Sequence, residues 1–219
     1  MSTDVKKWTE DWLAVCLGLL IFALSFGVFA GADLLGWAVT TSVWTSLSKA
    51  LGTASKAYSI PGLAALAATA VFLIFLLSAG ARLLGANVPR FARAFTAAFA
   101  ISYLCWIAGS WAYIAATPDK RALFHIPWSL NLTNEAGFIV ALIAGLLIGN
   151  LLPSTVAFLR DALRPELYVK TAIVILGGFL GITAVEQISL ATAVLFNGLC
   201  AILAAYLVYW AVVYYVARR

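Results

Sequence analysis

Side chains able to carry out chemistry are scarce in this sequence, and their spacing does not suit an enzyme. His125 is the one histidine, so a histidine-built metal cluster has no ligand set. No G-x-S-x-G turn, H-E-x-x-H helix or phosphate-binding loop occurs. Cys16, Cys105 and Cys200 lie far apart inside apolar runs, form no C-x-x-C pair, and read as buried free thiols. No catalytic residue, metal or cofactor is assigned. What remains is the chemistry of helix contact and solute passage. Gly145-Leu-Leu-Ile-Gly149 and Gly177-Gly178-Phe-Leu-Gly181 each set glycines four apart, with a third such pair at Gly27 and Gly31. Glycines at that spacing line one helix face and let backbones approach closely. They serve either plain packing or the short, broken helices from which transport sites are built. Polar groups flank these segments. Glu135 precedes the first and Asn150 closes it, while Glu186 and Gln187 follow the second. An ionisable group at a membrane is costly, which makes Glu135 and Glu186 candidates for contact with solute or a coupling proton. Asn197, inside the last apolar run, is expected to bond to a neighbouring helix.

The elements that must carry these residues follow from composition. The 219 residues are 64% apolar and only 11% charged, against about 45–50% and about 25% in a soluble domain. So few charges cannot cover a water-facing surface, whereas in a bilayer hydrocarbon is the outside. Eight Trp and eight Tyr add side chains suited to the headgroup level. Apolar stretches run over residues 12–30, 61–77, 95–116, 137–152, 169–185 and 189–216. Spanning helices need about 20 such residues. No apolar–polar alternation of the barrel kind occurs, so helices are the way left to satisfy the backbone in lipid. The expected fold is therefore all-α, a bundle of about six transmembrane helices.

The first stretch reads as an uncleaved helix rather than a signal peptide. Its apolar run is longer than the usual 7–15 residues, and Glu10 and Asp11 sit directly before it. The net charge of +5 comes from single or paired Lys and Arg in short loops, with no basic stripe to suggest nucleic acid. With the N-terminus in the cytoplasm, ten of these residues fall inside and four (Lys49, Lys56, Lys120 and Arg121) fall outside. That bias predicts both termini on the cytoplasmic side. Between the spans, residues 40–59 have apolar positions near helical spacing and predict a short interfacial helix. Residues 117–135 predict an irregular loop at the membrane surface. Residues 154–163 predict a short helix capped by Ser154 or Thr155 and ended at Arg164-Pro165.

Three segments resemble a known family. Gly137-Phe-Ile-Val-Ala-Leu-Ile-Ala-Gly-Leu-Leu-Ile-Gly-Asn150 resembles the first core helix of the sulfate exporter family, also called YeiH-type proteins. The segment from Pro165-Glu-Leu-Tyr-Val-Lys through Gly177-Gly-Phe-Leu-Gly-Ile182 resembles its second. Glu10-Asp-Trp-Leu-Ala-Val-Cys-Leu-Gly-Leu-Leu-Ile-Phe22 resembles the N-terminal extension of longer members. The resemblance implies a bacterial inner-membrane transporter for sulfate or a related small anion, with a fold similar to bile-acid/sodium symporters and inverted repeats of about five helices. It divides the chain into an N-terminal extension with three spans (1–116), an extracytoplasmic loop (117–136) and the first core helices (137–219). Members continue past the position of Arg219 into a second repeat, so the expectation is a truncated chain or one partner of a split pair, not transport-competent alone. Gly145, Gly149, Asn150, Gly177, Gly178 and Gly181 are then expected to pack against the absent transport helices, with Glu186 and Gln187 at the outer mouth. The implied partners are the lipid bilayer, that second half or another copy, and a small anion. A reading from another class is a non-transporting membrane subunit that packs on a partner through its glycine faces.

Overall fold

The computed structural model describes residues 8–186 and 188–218, and within them leaves out the side chains of 29, 30, 134 and 180–195. The first helix, α1 (Glu10–Ser25), starts at Thr9, whose Oγ1 accepts from the Trp12 N–H at 3.3 Å. Glu10 and Asp11 fill its first turn, where the helix dipole favours negative charge. It continues as a 3₁₀ segment, Phe26–Ala30, and ends at Gly31, whose φ of 79° lies where glycine is favoured.

An antiparallel ribbon follows, β1 (Val39–Thr41) with β2 (Leu51–Thr53), and Thr40 stands opposite Gly52. This overturns the interfacial helix expected over residues 40–59. The β-branched run Val39-Thr40-Thr41 and Gly52-Thr53 favour an extended chain. Tertiary hydrogen bonds then fix it. The Val39 N–H donates to Thr69 Oγ1 at 2.9 Å, and Trp44 Nε1–H donates to the Ile107 carbonyl at 2.8 Å. Thr69→Val leaves the Val39 N–H without its partner. A loss of about 1–3 kcal/mol is expected, read as a lowered midpoint of unfolding in detergent and faster exchange of that amide.

Two long helices, α2 (Gly62–Leu83) and α3 (Val88–Gly109), form a hairpin. The turn uses Gly85 at φ 75°, and Asn87 caps α3 by accepting the Arg90 N–H on its Oδ1 at 3.2 Å. The third span therefore begins about two turns ahead of the expected residue 95 and stops before Ser110. Arg90 and Arg93 belong to the helix rather than to a loop. One turn, α4 (Ala112–Ala115), and α5 (Pro118–Phe124) follow, and His125 ends α5 in the left-handed region. Residues 130–132 then return against the chain after α3, Leu130 N–H donating to Tyr113 O at 2.9 Å and Leu132 N–H to Ile114 O at 3.0 Å. The loop expected over 117–135 is thus part helix and part pinned segment.

Next come α6 (Ala136–Leu151) and α7 (Pro153–Leu159), the latter carried on by a 3₁₀ turn, Arg160–Ala162. Pro153 stops α6 as expected, and the chain bends by 114° there. The α7 helix lies where a short helix was expected, yet Pro153 starts it and no side chain caps it. Last are α8 (Pro165–Glu186), which runs along α1, and α9 (Ile188–Ala217).

The core lies where α1, α2, α3 and α8 meet, with Leu13, Leu17, Leu77, Phe91, Phe95 and Leu167 at its centre. The outer surfaces are as apolar as the core: Phe75, Leu142 and Phe179 are each more than half exposed. Among the described residues four helices are long and apolar enough to span a bilayer, and counting the bent pair α6–α7 as one span gives five. The chain is a membrane protein built as a helical bundle. The remaining predicted span coincides with α8, whose last turns lie outside the described side chains, so a count of six belongs to the proposal below. Only Cys105 of the three thiols is buried; Cys16 and Cys200 are exposed on the outer faces of α1 and α9, as is Asn197. The expectation of three buried thiols is corrected accordingly. Lipid-facing positions are as apolar as the core, so composition alone does not separate them.

Candidate functional site

The glycine motifs split into used and unused faces. Among the described residues, no atom lies within 4 Å of a methyl group built on Gly145, Gly149 or Gly177. These faces are open. A methyl on Gly178 would stand 2.5 Å from the Phe22 ring, so this glycine is where α1 crosses α8. The close crossings otherwise fall on glycines outside the motifs. Gly18 meets Val174, where an added methyl would sit 2.6 Å from Val174 Cβ. Gly109 lies against the backbone of Gly137, and Gly137 lies under the Trp106 ring. Any side chain at those points would force α1 from α8 or α3 from α6.

The expected site residues are not gathered in one place. Glu135 occupies the residue before α6, where its Oε2 accepts from Thr133 Oγ1 at 3.3 Å. Asn150, fifteen residues on, lies about 22 Å away along the helix, its Nδ2 donating to its own helix at the Leu146 carbonyl, 2.7 Å. Gly145 and Gly149 sit on α6, which packs on α3; Gly177 and Gly178 sit on α8, which packs on α1. Gly181, Glu186 and Gln187 fall outside the residues whose side chains are described.

A charged junction that the spacing did not announce does come together. Arg164, just ahead of α8, donates to Glu10 Oε1 in the first turn of α1. Lys170 reaches Asp11 at 2.6 Å and Glu166, one turn back on its own helix, at 3.0 Å. Tyr168, in the first turn of α8 and ahead of its apolar stretch, donates to the Ala162 carbonyl at 2.6 Å. Burial pushes its phenol up to about 12, with a smaller downward pull from Arg164 and a smaller upward push from Glu10. A phenol is protonated at neutral pH in any case, and the upward shift extends the donation to the Ala162 carbonyl to more alkaline pH. Beside these pairs lies a cavity of about 500 Å³ lined by Glu10, Asn87, Phe91, Arg160, Asp161 and Arg164. The arrangement locks the start of α1 to the start of α8. Glu10 and Asp11 were visible as an acidic pair, and Arg164 and Lys170 as loop charges. Partners more than 150 residues apart carry no local signal of their pairing.

The structure also groups the loops by end of the bundle. The start of α1, the α2–α3 turn and the α7–α8 junction share the charged end, while the β1–β2 ribbon and residues 110–132 share the other. Three of the segments that the count of Lys and Arg assigns to one side thus lie at one end, and which side of a membrane that end faces belongs to the proposal below.

No protein-family model matches the sequence, and no solved structure matches the fold. A curated relative does. The chain is 32% identical to UPF0324 membrane protein NE0724 of Nitrosomonas europaea over 229 aligned positions, which cover all of this chain and 47% of the relative. It therefore spans about half the length of the relative, and over its whole extent it is homologous to a UPF0324 membrane protein.

Proposed function

We propose that the chain works as part of an inner-membrane transporter for a small inorganic anion such as sulfate, furnishing helices that wall one side of the solute path. The observation that carries this reading is the bent pair α6–α7, whose glycine face at Gly145 and Gly149 stays open. In repeat-built transporters the solute site lies between two halves and is formed by short, interrupted helices. Under this reading the open face receives the helices of the other half, supplied by further sequence or by a second chain, in a fold similar to bile-acid/sodium symporters. Six spans with both termini cytoplasmic follow from the Lys and Arg bias. Gly177 and Gly181 extend the contact, and Glu186 and Gln187 meet solute at the outer mouth. The role is not enzymatic. The test is anion flux into vesicles by the complete transporter. Gly149→Leu is expected to lower the rate at least about tenfold, since a 1.4 kcal/mol misfit suffices. Unchanged flux with normal assembly would refute the role.

A second reading rests on α9, whose described residues from Phe196 onward are largely exposed. A non-transporting subunit would cover that helix with a partner membrane protein. Stoichiometric co-purification of such a partner, with no flux from the pair, favours it.

A further inference from the structure

The β1–β2 ribbon does not rest on top of the bundle. Val39 bonds to Thr69, seven residues inside the start of α2, or about 10 Å down the helix. Thr41 Oγ1 lies 2.8 Å from the hydroxyl of Tyr103, six residues inside the end of α3, or about 9 Å down. Trp37 packs edge-on against Phe72 at 5.7 Å, ten residues inside α2, or about 15 Å. Both helices have 22 residues, about 33 Å against a hydrocarbon core of about 30 Å. Little of either helix is left over to stand above the bilayer. The ribbon and the residues just before it therefore lie at hydrocarbon depth.

Irregular backbone at that depth persists only where protein buries it or where it lines water. Protein buries one side, through Thr69, Phe72 and Tyr103. Thr40, between the inward Val39 and Thr41, and Lys56, in the turn after β2, are both exposed. Lys56 follows Ser55, whose N–H donates to the Gly36 carbonyl at 2.9 Å, so it sits beside the deep Trp37 end. A lysine there cannot face hydrocarbon without a large cost. One carboxylate, Asp33, stands at this end of the ribbon, its Oδ2 close to Gly36 and Ser55; Lys49 and Lys56 outnumber it two to one, and the next acidic residue in sequence is Asp119.

We propose that residues 36–56 form a re-entrant hairpin bordering a water-filled vestibule of positive charge, open on the ribbon side of the membrane and attractive to small anions. The geometry supports it independently of any transport activity. Single cysteines are placed by Thr40→Cys and Leu104→Cys, after Cys16→Ala, Cys105→Ala and Cys200→Ala, with the protein in lipid nanodiscs. Leu104 is 65% exposed at the depth of Tyr103 and so reports the lipid at the same level. A charged, membrane-impermeant methanethiosulfonate is expected to modify Thr40→Cys roughly 100-fold faster than Leu104→Cys, because only a thiol in water ionises and meets the reagent. Equal, fast reaction would place this level above the bilayer and overturn the re-entrant hairpin. Slow reaction at both would overturn the vestibule. Normalised to free cysteine, the anionic reagent is expected to outpace the cationic one at Thr40→Cys, with the preference lost on Lys56→Ala; equal normalised rates would overturn the anion attraction. In the unmodified protein, Lys56 is expected to be acylated by an impermeant amine reagent, and a Lys56 that resists it would contradict the proposal without any substitution.

Discussion

Gly109→Ala is expected to lower the thermal unfolding midpoint in detergent far more than Gly145→Ala, although only the second glycine belongs to a G-x-x-x-G motif. An added methyl at Gly109 would run into the backbone of Gly137, which has no flexible side chain to move aside. The two helices must separate, and Trp106 with Phe138, now edge-on at 5.3 Å, must follow. Overpacking of this kind costs about 1–3 kcal/mol, and a rigid backbone contact belongs at the upper end. At Gly145 the methyl meets open space, so a change within about 0.5 kcal/mol is expected. Equal losses at the two positions would mean that the α3–α6 crossing is wrong. Gly18→Ala offers a parallel comparison at the α1–α8 crossing, where the added methyl would meet Val174 Cβ, fixed to its backbone, and the Thr171 carbonyl.

Arg164→Ala carries the other large effect. Exposed ion pairs contribute about 0–1 kcal/mol, while removing one partner of a buried pair costs about 3–5 kcal/mol. The side chains of Arg164 and Glu10 are 25% and 37% exposed, so the pair lies between these limits. A loss of about 1–2 kcal/mol is expected. A double-mutant cycle with Glu10→Ala separates the terms. Coupling near the full loss identifies the pair as the lock, and zero coupling contradicts it.

Much of the architecture was legible from composition, because the cost of burying unpaired backbone in lipid leaves few solutions. The helical class, the stop at Pro153 and the grouping of charged loops at one end all follow from such local rules. The errors share one cause, which is that tertiary partners outvote local pattern. Residues 43–54 have helical spacing, yet the bonds of Val39 to Thr69 and of Trp44 to Ile107 hold this stretch of chain as a ribbon. The start of α3 was legible in Asn87 followed by Pro89, a capping signal outweighed by the charges of Arg90 and Arg93. The glycines show the limit most directly. A motif states that a face is smooth, and only a partner states that the face is used. Gly18 and Gly109 are used without any motif, while Gly145 and Gly149 form a motif with an open face. The charged junction was illegible because Glu10 and Arg164 are brought together by the packing of α8 along α1, through Gly18, and by no feature of either segment.

The measurement closest to the root of this account is the size distribution of the purified protein after detergent removal, with and without phospholipid. Surfaces at Phe75, Leu142 and Phe179 as apolar as the interior predict stable, dispersed particles only when lipid is supplied, and aggregation when it is withheld. A single, monodisperse species in lipid-free buffer would contradict it, because water would then be solvating faces that the account assigns to hydrocarbon.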